Sequence, residues 1–146
     1  MMGMNDTNWL THLNNLVAYS NYHGVYVEFK RGCEDSYTAD VQKITINSQR
    51  TLKNQTYILL HELGHHNILK DGMLCKKFAV LNQENVARNL SNRILSLEEE
   101  VIAWHIGEGI GRSLSIPLDA SFQILKSRCL KTYVDSIASK KVRNNQ

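Results

Sequence analysis

VQKITINSQRTLKNQTYILLHELGHHNIL, residues 41–69, changes its period part-way along. Residues 41–46 are rich in strand formers, and Val41, Ile44 and Ile46 give them apolar faces. From residue 53 the strand pattern stops. Residues 53–69 lack Pro and are rich in helix formers, and Asp71-Gly72 supplies a stop. Just before the switch, residues 25–30 (VYVEFK) alternate, with Val25, Val27 and Phe29 on one face. The intervening RGCEDSYTAD reads as a polar turn region, so the two strands are expected to pair as an antiparallel hairpin or meander. Residues 6–22 read as an amphipathic helix. Asp6 or Thr7 is its expected cap, Leu10, Leu13, Leu16, Val17 and Tyr19 mark its apolar side, and Gly24 stops it.

Beyond residue 72 the pattern is helical. Residues 73–92 suggest a loop with a short helix. A capping box, Ser96-Leu97-Glu98-Glu99, predicts a helix over 97–112. Pro117 suits the first turn of a last helix. Leu118, Phe122, Leu125, Cys129, Tyr133 and Ile137 then recur every three or four residues as one apolar stripe. The expected fold class is α+β: a small early antiparallel sheet followed by a helical bundle, in a single domain over residues 1–146.

Composition bounds the function. A chain of 146 residues with one Pro, eight Gly and 42% hydrophobic residues is long enough to bury a core without a disulfide or a metal. A charged fraction of 21% argues against disorder. No apolar run approaches a membrane span, and MMGMNDTNWL lacks the basic-then-apolar layout of a secretory signal. A cytoplasmic protein with no membrane partner is the expectation. Cys33, Cys75 and Cys129 are odd in number and form no C-x-x-C pair, so free buried or half-buried thiols are expected. Net charge is +3, distributed unevenly. Residues 126–146 hold six Lys and Arg against one Asp, which makes them +5 and leaves −2 on the rest. A basic C-terminal helix and tail at about 117–146 is a possible docking end for a regulatory protein partner. Nucleic acid is a weaker expectation, because no aromatic residues interleave with the charge.

The chemistry sits inside the opening stretch. His61-Glu62-Leu63-Gly64-His65 is an H-E-x-x-H motif. Histidines four apart on a helix lie on one face, so both imidazoles can reach one metal ion. Glu62 lies beside that ion without needing to bind it, placed to take a proton from a metal-bound water and pass it to a leaving amine. Gly64 costs a helix about 1 kcal/mol against Ala, so its presence points to a close backbone neighbour such as a strand edge.

A catalytic zinc (Zn2+) site needs a third protein ligand and an open position. After His66 the next histidine is His105, too far for a short three-histidine pattern. Glu98-Glu99-Glu100 remain, although acids at a helix start are also explained by the helix dipole. Glu99 suits a fold back onto Ser96. Glu100 has small Ala103 and aromatic Trp104 one turn on, so Glu100 is the favoured third ligand and Glu99 its rival.

An α+β chain with a β-segment ending in ITIN, then LLHELGHH, then a helix with Glu-x-x-Ala resembles the compact gluzincin metallopeptidases. It is most similar to the ImmA/IrrE-type group and to small phage and bacterial proteins of the same kind. The likeness covers about residues 41–112. It implies His61, His65 and Glu100 as zinc ligands and Glu62 as catalytic base. Past Glu100 the sequence departs, with Trp104-His105-Ile106-Gly107 after Ala103 where that group has Ala-Asn and Phe-Ala.

A peptidase also needs a donor for the tetrahedral oxyanion, and His105, Tyr57, His23 and Arg112 are its candidates. His66 points away from His65 by about 100° and is expected to support the site or face solvent. Helix packing is expected of His105. Glu108 is placed to pair with Arg112 at i+4, and Gly107, Gly109 and Gly111 fit close helix packing. The expected function is zinc-dependent hydrolysis of a peptide bond in a specific protein segment, laid extended along the sheet edge. The alternative is a zinc-containing binding protein that docks through its basic end.

Overall fold

The computed structural model describes residues 4–144, with side chains from residue 8 to 139. Helix α1 (Met4–Tyr22) leads into strand β1 (Tyr26–Lys30), β2 (Ser36–Thr38) and β3 (Lys43–Asn47). Helix α2 (Leu52–Lys70), short α3 (Gly72–Phe78), a 3-10 turn (Ala79–Asn82), α4 (Leu90–Ser113) and α5 (Ala120–Asn144) follow. The fold is α+β. Among the described residues, no helix is long and apolar enough to cross a membrane.

The sheet corrects the antiparallel expectation. Its order is β1-β3-β2, with β1 parallel to β3 and β2 antiparallel to β3. Val27 lies against Ile44 and Phe29 against Ile46. Parallel neighbours need a return connection, and β2 runs within it. Ser36–Thr38 is hidden in the polar stretch because only Tyr37 turns inward among its three residues. The β2–β3 turn closes with Gln42 donating its N–H to the Ala39 carbonyl, and Gln42 takes a positive φ of 48°.

Helix α2 is the axis of the molecule. Thr51 caps it by accepting from the Asn54 N–H, and Asp71 ends it and caps α3 through the N–H groups of Met73 and Leu74. Tyr57, Ile58, Leu59 and Leu60 are four consecutive buried residues, so this part of α2 is covered on every side. Val25 just before β1, the sheet's Val27, Ile44 and Ile46, α1's Leu13 and Leu16, and Trp104, Ile116 and Phe122 join that core.

Helix α4 crosses α2 at backbone contact. A Cβ on Gly64 would lie 2.0 Å from the Ala103 carbonyl oxygen, and one on Gly107 2.6 Å from that of Leu60. The close neighbour of Gly64 is therefore helix α4 and not a strand edge. Gly111 lies close to Leu60 and Leu118 side chains, whereas Gly109 faces open space.

Three boundaries differ from expectation. Helix α1 begins at Met4, placing Asp6 and Thr7 inside it rather than at its cap. Helix α4 begins at Leu90, capped by Asn89 accepting from the Asn92 N–H at 2.8 Å, so Ser96 is not a cap. Nothing breaks the chain between 89 and 96, and the earlier cap takes precedence. Pro117 precedes the last helix, which Asp119 starts by accepting from the Ser121 N–H. The side chains of Lys140, Lys141 and Arg143, which carry half of the basic end, lie outside the described residues.

Candidate metal centre

His61 and His65 project from one face of α2 towards α4. Their Nε2 atoms lie 3.1 Å apart. Glu100, on the facing turn of α4, places Oε2 2.8 Å from His61 Nε2 and Oε1 3.0 Å from His65 Nε2. One donor atom from each of the three residues falls within 4.8 Å of the others. The glycine contacts explain the closeness: Gly64 and Ala103 let the two helices approach until a ligand on each can converge.

The donor set fits a divalent metal. Two imidazole nitrogens and a carboxylate are a zinc ligand set, and bonds of about 2.0–2.1 Å at tetrahedral angles put two nitrogens about 3.3 Å apart. His65 Nδ1 lies 3.1 Å from Glu99 Oε1. A carboxylate can only accept, so the Nδ1–H donates to Glu99, and Nε2 is the atom aimed at the centre, where a bound metal would displace its proton. Glu99 thus supports the adjacent histidine instead of folding back on Ser96. Trp104 stacks on His61 with centroids 4.3 Å apart and planes at 11°. Its indole Nε1 is buried with no partner among the described residues, so stacking holds that ring pair.

The electrostatics favour positive charge. Burial opposes a charged His65, but hydrogen bonds to Glu100 and Glu99 outweigh it and lift its pKa to about 10. Against the same burial, His61 and His65 hold the Glu100 carboxyl well below the usual range. Glu62 is 7% exposed, and burial raises its pKa despite the nearby histidines.

A residue outside the motif joins them. Tyr133, on α5, donates its hydroxyl to Glu100 Oε1 at 2.9 Å. Burial and then the Glu100 charge push its pKa up, so it stays a donor. Its place in the apolar stripe concealed it. The available signal was its hydroxyl, since a buried Tyr seeks a partner.

These residues line a cleft of about 560 Å³ that also takes in Tyr37, Arg50 and Cys129. Asp35 fastens its rim, accepting from the Asn47 N–H and from Arg50 Nε, each at 2.7 Å. His66 is 4% exposed and its Nδ1 lies 2.7 Å from the Tyr37 hydroxyl, which links α2 to β2. None of the expected oxyanion donors lines the cleft. Tyr57 donates to the Pro117 carbonyl, His105 is exposed rather than packed, and Arg112 pairs with Glu108 at 2.7 Å. His23 contacts Tyr19 and Tyr22. Side-chain donors that do line it are Tyr37, Arg50, Asn82, Thr132 and Tyr133. All three cysteines are free, and Cys129 lines the cleft.

Family models, curated proteins and solved structures offer no match to the chain.

Proposed function

We propose that the chain is a zinc-dependent peptidase acting on an extended segment of a specific protein. The observation that carries this is the convergence of His61, His65 and Glu100, with Glu62 beside them, at the wall of an open cleft. A zinc ion held by those three residues would supply a Lewis acid for the scissile carbonyl and lower the pKa of a bound water.

Glu62 is the general base. Its carboxylate takes a proton from the attacking water as the C–O bond forms. It then returns that proton to the amine as the C–N bond breaks. Burial raises the Glu62 pKa above its ordinary value, which suits a group that must both accept and release a proton. The cleft borders β2, which pairs only with β3 among the described residues, so its other edge can accept a peptide strand. Tyr37 marks that edge from the cleft side.

The test incubates the full chain with zinc and a proteome-derived peptide mixture and maps new amino termini. Wild type is expected to generate a recurrent cut, and Glu62→Gln to retain zinc and lose the cut. Equal cutting by Glu62→Gln overturns the mechanism.

A further inference from the structure

A second, smaller cavity of about 220 Å³ adjoins the cleft and shares Tyr133 with it. Its other lining residues are Arg88, Arg93, Ser96 and Ser136. On α4, Arg93, Ser96 and Glu100 follow at helical spacing. On α5, Tyr133 and Ser136 do the same. The groove between these helices therefore leads from the candidate metal centre to a wall with two guanidinium groups. The cavity is below the usual size for a whole small-molecule ligand. It has the scale of one side chain.

Arg93 is held but not neutralised. Its Nη1 donates to the Ser136 carbonyl and hydroxyl, both at 2.8 Å, and its Nε reaches the Arg88 carbonyl at 3.4 Å. It forms no ion pair, and its Nη2 no hydrogen bond, among the described residues. Asn92 pins the same loop through the Ala87 carbonyl at 2.8 Å. A fixed, half-buried guanidinium with spare donors suits a carboxylate, which it can grip with parallel N–H bonds.

We propose that this cavity is a subsite for an acidic side chain, an Asp or Glu of the peptide substrate. The inference rests on the peptidase reading and names its substrate class. Arg93 and Glu100 are seven positions apart, or roughly 10 Å along the helix axis. An extended peptide advances about 3.3 Å per residue, so the acidic residue lies roughly three positions from the scissile bond.

The test uses the full chain carrying Glu62→Gln, loaded with zinc. The probes are capped Ala/Ser octapeptides with one Glu scanned through every position, each matched to a Gln counterpart. Binding is followed through amide NMR shifts. At one position the Glu peptide is expected to bind at least tenfold more tightly than its Gln match and to shift Ser96 and Ser136. Arg93→Gln removes that preference. Arg88→Glu, an exposed change that leaves the α4–α5 tie intact, turns it towards a Lys peptide. Equal binding at every position, or a preference that survives both changes, overturns the proposal. So does a single-stranded oligonucleotide that shifts the same amides more tightly than any Glu peptide. If the preference is present but the wild-type chain cuts none of these peptides or the proteome mixture, the hydrolytic reading fails and the acidic subsite stands.

Discussion

The Tyr133 hydroxyl donates to Glu100 Oε1 at 2.9 Å, which ties the last helix to the candidate metal centre. That bond fixes the rotamer of Glu100 and satisfies one of its oxygens, as partners behind a ligand do at metal sites. Tyr133→Phe is expected to weaken zinc affinity about tenfold, the lower end for such supporting groups. The fold should stay intact, since only a hydroxyl is lost. Competition with a chelator reads the affinity, and an unchanged value removes Tyr133 from that role.

Glu100 and Glu99 make separable contributions. Glu100 faces both Nε2 atoms, whereas Glu99 meets only the far nitrogen of His65. His61→Ala, His65→Ala and Glu100→Ala are expected to abolish stoichiometric zinc. Glu99→Gln should keep it with affinity reduced by about 10–100-fold. Metal analysis after dialysis checks this. Full loss in Glu99→Gln with zinc retained in Glu100→Ala would exchange their roles.

The glycines of the helix crossing differ in what a methyl group would meet. At Gly64 a Cβ falls 2.0 Å from a backbone oxygen, which cannot swing aside. Gly64→Ala is expected to destabilise by about 1–3 kcal/mol or more, because overpacking outweighs the gain of about 1 kcal/mol in helix propensity. Gly109 meets nothing within 4 Å. Gly109→Ala should therefore stabilise, by up to about 1 kcal/mol. Urea midpoints at unchanged slope measure both.

What could be read before folding follows from the range of each cause. The H-E-x-x-H pairing is local, four residues on one helix face, and Glu100, which the structure brings beside both histidines, is singled out in the sequence by Ala103 and Trp104 at helical spacing. Ser96-x-x-Glu99 has the form of a cap wherever it occurs and so points to a later start for α4 than the observed one. The cap that is used, Asn89, sits in a stretch without clear period. The β1–β3 direction depends on β2, a three-residue strand with one inward side chain, and so on tertiary pairing. Tyr133 and Arg93 depend on how α5 packs on α4. No spacing within either helix reports that.

Asp119 joins the start of the last helix to α2. It accepts from the Ser121 N–H at 2.9 Å and from Lys53 Nζ at 2.6 Å, and Ser121 adds its hydroxyl. Removing the cap in Asp119→Ala is expected to cost about 1 kcal/mol. The exposed Lys53 pair adds a smaller amount, at most about 1 kcal/mol. Asp119→Asn keeps a good cap and loses only the charge, so its cost should be the smaller. Lys53 and then Ser121 hold the Asp119 carboxyl well below its ordinary value of 3.8. A carboxyl depressed on folding stabilises the protein above the unfolded value, and that gain is lost as the pH falls through the lower folded value. The gap between wild type and Asp119→Asn should therefore be constant from pH 7 to about pH 5 and narrow below 3.8. Urea midpoints over that range test it, and a gap that widens in acid would show that the charge does not stabilise the fold.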